Sequence, residues 1–155
     1  MNDEIMNWVC KKFEDLTPYE LYAIIRLRNE VFVVEQNCVF QDADNKDQDC
    51  FHVMGWNEDF LAAYTRIVPA GVIYEETSIG RVVTSINIRK SGIGKELMQK
   101  SMDYIYKLFG NVTIKIGAQL YLKHFYEELS FTQSSDIYLE DGIEHIEMTS
   151  QKLAS

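Results

Sequence analysis

Two prolines and three cysteines in 155 residues leave this chain little to break or staple it with. Cys10, Cys38 and Cys50 are odd in number and never stand at C-x-x-C spacing, so neither a disulfide framework nor a zinc centre follows from them. No stretch approaches the ~18 uninterrupted apolar residues of a membrane span, and no membrane partner is expected. The opening MNDEIMNWVC has neither the basic segment nor the apolar core of a signal peptide, so the expected location is cytoplasmic. Basic residues are scarce as well: fifteen Lys and Arg face twenty-four Asp and Glu, a formal net charge of −9. A nucleic acid, which attracts clustered cations, is therefore not an expected partner. Repeats, low-complexity tracts and Pro/Gly/Ser linkers are missing too, and residues 1–155 are expected to form one domain.

What remains is patterned. Thr17-Pro18-Tyr19-Glu20 is a helix start: Thr17 can cap, Pro18 suits the first turn, and Glu20 completes a capping box. Leu21, Ile24, Ile25 and Leu27 carry the helical spacing to about Glu30. FHVMGW at 51–56 and FLAAYTRIV at 60–68 read as strands joined across Asn57-Glu58-Asp59, and SIGRVVTS at 78–85 reads as another. From Gly92 to Phe109 the period is helical, with Ile93, Leu97, Met98, Met102, Ile105, Leu108 and Phe109 in one stripe and Gly110 as the stop. VTIKIGA at 112–118 is a strand, and QLYLKHFYEELSF carries a second amphipathic helix. Two strand-like runs, near 132–139 and 143–149, flank the turn Asp141-Gly142. Early strands, alternating strands and helices, and a closing hairpin predict an α/β or α+β sheet domain.

The basic stretch NIRKSGIGKEL at 87–97 stands out in so acidic a chain. A strand, a glycine turn and a helix make an anion site, because the first N–H groups of the helix lack internal partners and sit at the positive end of its dipole. Gly92 and Gly94 let a ligand approach the backbone, and Arg89, Lys90 and Lys95 add charge. A Walker loop fails here, since Glu96 follows Gly94-Lys95 and position 89 is not glycine. A Rossmann turn fails because Leu97 holds the third glycine's place. R-x-x-G-x-G remains, and from those six residues alone a plain helix start with a solvated basic turn is as good a reading.

The surrounding segments widen the match. SIGRVVTSINIRKSGIGKELM resembles the fourth strand, loop and third helix of the GNAT superfamily of N-acyltransferases, whose pyrophosphate motif is [RQ]-x-x-G-x-[GA]. AQLYLKHFYEELSF resembles the same family's fifth-strand exit and fourth helix. LRNEVFVVEQNCVFQDAD and EDGIEHIEM resemble, more narrowly, its ElaA-like branch. The resemblance implies a mixed, twisted sheet of about six to seven strands with about four helices, splayed between its fourth and fifth strands. It implies acetyl-CoA as acyl donor in that opening, with Val82, Val83 and Thr84 pairing to the pantetheine. The pyrophosphate would fall to the turn Arg89, Lys90, Ser91, Gly92, Ile93, Gly94 and Lys95, and Gln119 stands where many relatives carry a cofactor-contacting Asn. Ser130 replaces a frequent glycine. A homodimer is common among such proteins, and the sequence fixes no interface.

Acyl transfer from a thioester to an amine needs a neutral amine, donors for the developing oxyanion, and a proton for the departing thiolate. Strand N–H groups can supply the donors. Tyr126, at the position of the family's acid tyrosine, is the expected acid, while its place on an apolar stripe also suits plain core. Glu35, following an apolar run, is the expected base if burial raises its pKa. Arg28, Gln36, His52 and His145 are candidates for the acceptor pocket, either histidine also as a proton relay. The run Asp42, Asp44, Asp47, Asp49 does not make a calcium loop, since Asp47 and Val53 stand where glycine and glutamate are required. It is expected to be a solvated loop rimming the pocket, and no metal is expected. The function expected is acetyl-CoA-dependent N-acetylation of a small or peptidic amine. The alternative from another class is an idle acyl-CoA-binding sensor.

Overall fold

The computed structural model describes residues 6–151, without the side chains of residues 89–91 and 151. Eight strands form one sheet: β1 (Asn7–Lys12), β2 (Phe51–Asn57), β3 (Phe60–Val68), β4 (Thr77–Thr84), β5 (Thr113–Gln119), β6 (Thr132–Gln133), β7 (Tyr138–Glu140) and β8 (Ile143–Gln151). Their order is β1-β2-β3-β4-β5-β8-β6, with β7 also paired to β8. Three α-helices are present among the described residues: α1 (Pro18–Arg28), α2 (Ile93–Phe109) and α3 (Lys123–Glu127). This is a mixed α/β architecture, as the resemblance implies. The strand count exceeds the expected one because β1 forms from a start that shows no clean alternation, and because the run 132–139 breaks into β6 and β7.

The Thr17 hydroxyl accepts from the Glu20 amide at 3.1 Å and the Glu20 carboxylate accepts from the Thr17 amide at 2.8 Å, closing the capping box that starts α1. After Arg28 the chain does not stop but widens into a π-helix over Asn29–Glu35, where the amides of Gln36 and Cys38 bond to the carbonyls of Val31 and Val33. Such an insertion rotates the following side chains relative to a plain α-helix and recurs at functional sites.

Two cores fill the two faces of the sheet. α2 and α3 cover one face, where Leu97, Met98 and Ile105 meet Ile79, Ile114, Ile116, Ala118 and Ile146. α1 covers the other face over β2–β4, packing Ile24, Leu27 and Val31 on Met54, Tyr64 and Val83, with Val9 of β1 at the margin of the same cluster. Within the first core, Thr65 and Ser101 bond through their hydroxyls at 2.6 Å, while Ser101 donates to the Leu97 carbonyl. Leu108 and Phe109, expected on the buried stripe of α2, lie in its last turn and are partly exposed, Phe109 meeting Phe51 edge-on.

The functional geometry comes from the middle of the sheet. β4 and β5 run parallel and pair at only Thr77↔Ile114 and Ser78↔Lys115, then diverge. On its other edge β4 is bulged: Tyr64 pairs with Val83 and Arg66 with Gly80, so Arg81 and Val82 together oppose Thr65. Arg81 takes a φ of 48°, a left-handed conformation that costs a non-glycine residue about 1–2 kcal/mol.

The aspartate run is not the solvated loop expected of it. Arg28, fully buried, donates to Asp42 Oδ2 at 2.9 Å and to Asp47 Oδ1 at 2.8 Å. Arg66 reaches both Asp44 oxygens and Asp47 Oδ1 at 2.8–2.9 Å. Arg81 Nε sits 2.8 Å from Asp42 Oδ1, a charge contact too poorly aligned for a hydrogen bond, and its Nη2 donates to the Asp42 carbonyl at 2.9 Å. The burial of Arg28, Arg66 and Asp47 is sustained by pairing among themselves and with the half-buried Arg81, Asp42 and Asp44. An arginine inside the apolar strand FLAAYTRIV was the sequence signal for this cluster.

Burial alone would raise the Asp44 carboxyl, but its hydrogen bonds and charge contacts with Arg66 and Arg81 lower it to about 2. Its pKa is depressed on folding, so its stabilising contribution is complete above the unfolded value and is lost as the pH falls towards 2. Asp47→Ala leaves Arg28 and Arg66 under-compensated and is expected to destabilise the fold by about 3–5 kcal/mol, read as the shift in urea midpoint at pH 7. A loss below about 1 kcal/mol would contradict this reading of the cluster.

Candidate active site

Between the diverging strands lies a cleft of about 490 Å³. Ile79–Thr84 of β4 form one wall and Ile116–Gln119 of β5 the other. Tyr121, Leu122 and Tyr126 close it on the α3 side. Val31, Phe32, Glu35 and Gln36 from the π-helix, Cys38 and Phe40 after it, and Glu140, Asp141, Ile143 and His145 from the β7–β8 hairpin enclose the opposite side. The cleft therefore passes through the sheet and has two different ends.

The expected site residues divide clearly. Tyr126, Val82, Val83, Thr84, Gln119, Glu35, Gln36 and His145 all line this cleft. Gly92, Ile93, Gly94 and Lys95 stand outside its walls, at the start of α2. There Gly92 adopts φ 73°, where glycine carries no steric cost, and so turns the chain from a 3-10 segment (Ile86–Ser91) into the helix. Ile93 packs into the core, which leaves its backbone alone to face a ligand. A Cβ placed on Gly94 would meet only the Phe125 ring, at an ordinary 3.7 Å. The side chains of Arg89, Lys90 and Ser91 lie outside the described residues.

Arg28 and His52, expected at the acceptor pocket, are placed elsewhere. Arg28 is consumed by the ion cluster and lies over the Tyr64 ring at 5.8 Å. His52 is completely buried, with Nε2 2.9 Å from the Asp47 carbonyl and Nδ1 2.6 Å from the Tyr64 hydroxyl. A carbonyl can only accept, so Nε2 carries the proton and Nδ1 accepts from Tyr64. Burial, outweighing the nearby Asp47, lowers the imidazole pKa and keeps it neutral. This histidine props the loop that holds Asp47.

Tyr126 is 5% exposed and its ring sits edge-on between Phe125 and Phe131. Burial, with a smaller contribution from Tyr121, pushes its phenol up to about 12, so it holds its proton at neutral pH. Ser130, just beyond α3, takes φ 75°, a backbone state that favours the glycine it replaces; the turn forms nonetheless, with the Phe131 amide bonded to the Tyr126 carbonyl.

The profile of the acetyltransferase (GNAT) domain matches residues 30–152. Over 146 residues the chain is 38% identical to protein ElaA of Escherichia coli K12, spanning 93% of this chain and 95% of that one. The crystal structure of E. coli ElaA superposes with a TM-score of 0.89 at 36% identity, covering 94% of this chain and 99% of that one. An acyl-CoA N-acyltransferase from Pseudomonas aeruginosa superposes at 0.91 with 38% identity over the same shares of the two chains. A likeness of fold alone extends to an aminoglycoside 6'-N-acetyltransferase complexed with coenzyme A, at TM-score 0.70 and 15% identity over 95% and 98% of the two chains.

The buried phenol makes a prediction about stability. Its folded pKa exceeds the unfolded value of about 10, so its contribution is complete below pH 10 and is lost as the pH rises towards 12. Across that window the wild-type unfolding free energy is expected to fall more steeply than that of Tyr126→Phe, by about 1.4 kcal/mol per pH unit. Parallel urea-stability curves for the two proteins would contradict it.

Proposed function

This chain belongs to the GNAT acetyltransferase family, and on that premise we propose that it moves an acetyl group from acetyl-CoA to an amine by direct transfer. The observation that carries the reading is the through-sheet cleft with a buried, protonated phenol at one end. The diverged edges of β4 and β5 give backbone groups near Val82, Val83 and Thr84 a cleft to face, where an extended pantetheine pairs as a strand would. An N–H in that bulged segment is the donor for the thioester oxygen as charge develops on it. The 89–95 turn and the first amides of α2 take the pyrophosphate, and Gln119 contacts the donor from β5. Tyr126 protonates the departing thiolate.

The opposite end takes the acceptor. Glu35, Gln36, Glu140, Asp141 and His145 stand there, and the guanidinium among the cleft walls, Arg81, is already engaged by Asp42 and Asp44. Carboxylates in that position favour an acceptor carrying positive charge. Glu35, Glu140, Asp141 and His145 are the groups on this side able to accept a proton from it, and Glu35 stands exposed rather than buried as expected.

Titration calorimetry with acetyl-CoA, with free CoA and ATP as comparators, tests the reading. Micromolar binding is expected, and Gly94→Glu, which the local space tolerates, is expected to weaken it at least about 100-fold by placing a carboxylate against the pyrophosphate. Tyr126→Phe is expected to lower kcat by about 100-fold or more while leaving acetyl-CoA binding intact. Failure to bind acetyl-CoA would overturn the proposal. Binding without acyl transfer, unchanged by Tyr126→Phe, would assign an acyl-CoA sensor instead.

A further inference from the structure

Residues on β5 and β8 alternate between the two faces of the sheet. Ala118 and Ile146 point into the core beneath α2 and α3, where Tyr126 also sits, so their neighbours Gln119 and His145, paired in register, point to the other face. His145 and Tyr126 thus line one cleft from opposite sides of the sheet.

The His145 ring is held in a single protonation geometry. Nδ1 lies 2.7 Å from the Ile143 carbonyl, which can only accept, so Nδ1 carries the proton of the neutral ring. The lone pair is then on Nε2. This is the atom that the Glu140 carboxylate flanks at 3.9 Å, on a residue 8% exposed at the cleft wall. The Tyr138 ring lies against the imidazole at 5.8 Å between centroids and limits its rotation. His52 differs on each count: its Nε2 is spent on a carbonyl, its Nδ1 on a phenol, and it lies outside the cleft.

Resting on the acyltransferase reading above, we propose that His145 is the general base of the transfer, with Glu140 as the residue that positions and supports its charged form. The acceptor ammonium gives one proton to Nε2, and the neutral amine forms the C–N bond at the thioester carbonyl. The C–S bond then breaks, and the sulfur takes the Tyr126 hydroxyl proton. The second nitrogen proton restores the phenol through solvent as the amide forms, and His145 returns the first proton to water past Glu140. The net change is ammonium plus thioester to amide, thiol and one released proton. Base and acid on opposite faces suit a reaction in which the amine arrives on one side of the carbonyl and the thiolate leaves on the other.

Several other charged or titratable groups surround this ring. Glu140 and Tyr138 face it from β7, and the Tyr74 phenol lies near that of Tyr138. Asp141 lies in the adjoining turn, and Glu144 and Glu147 lie on β8 itself. Lys115, on β5, is drawn 3.3 Å from Glu147. Glu35, Tyr121 and Tyr126 share the cleft. The Glu140 carboxylate is the charged group the structure brings to Nε2.

The test uses the full-length protein with 15N-labelled histidine, assigned with His145→Gln. Imidazole nitrogen shifts are expected to report the Nδ1–H tautomer for His145, and Glu140→Gln is expected to lower kcat by about 10-fold with propylamine and little with hydroxylamine. An Nε2–H tautomer, or a Glu140→Gln kcat with propylamine equal to that of the wild type, would overturn the proposal. The second readout is the pH dependence of thiol release from acetyl-CoA, with propylamine and hydroxylamine as acceptors. His145→Gln is expected to lose about 100-fold in kcat with propylamine and to lose the acidic limb of the profile, while hydroxylamine, largely neutral near pH 7, recovers most of the rate. An equal loss with both amines would assign His145 a structural role. No thiol release by the wild type with either amine, despite bound acetyl-CoA, would count against the transfer reading of the preceding subsection and against the base assignment that rests on it.

Discussion

Two parallel strands that pair at two positions and then part leave backbone hydrogen-bonding edges facing one another across a gap. Buried N–H and C=O groups left without partners cost about as much as lost hydrogen bonds, so such a gap is filled by water or by a ligand that can pair like a strand. The rest of the molecule follows from that parting. The bulge at Arg81 re-aims β4 along the gap, α3 brings Tyr126 to one end, and the π-helix and the β7–β8 hairpin border the other.

The gap is held open by charge as well as by packing. Arg81 belongs both to the strained bulge and to the buried cluster that ties Asp42, Asp44 and Asp47 to Arg28 and Arg66. Through Asp42 the same cluster anchors the segment that carries Cys38 and Phe40 into the cleft wall, and the Arg81 guanidinium lies over the Phe40 ring at 5.8 Å. Ion pairs of this kind are seldom the cheapest way to fill a core, since desolvation offsets much of their attraction. Here they fix one arrangement of a long loop against a distorted strand, which apolar contacts alone specify less sharply.

Much of this was legible in the sequence, for physical reasons that differ by element. Thr17-Pro18-Tyr19-Glu20 carries its own capping chemistry, so α1 was read correctly at its start. The stripe from Ile93 to Ile105 and the turn at Asp141-Gly142 are local patterns, and the structure follows them. β1 was missed because a half-buried edge strand made of NWVCKK has no alternation to display. The aspartate run was misread because its partners lie in α1, β3 and β4, far away in sequence, and only the odd Arg66 among apolar neighbours hinted at them. His145 and His52 look alike as letters; the register that turns one into the cleft and seals the other beside Tyr64 exists only in the folded sheet.

Amide hydrogen exchange, followed by mass spectrometry with and without saturating acetyl-CoA, tests the central claim that the parted strands are the donor site. Protection is expected to rise at residues 82–84 of β4 and in the turn that opens α2, with β1 and β2 unchanged. Binding of acetyl-CoA that leaves the β4 amides exchanging as before would contradict the account, because the donor would then lie somewhere other than the gap.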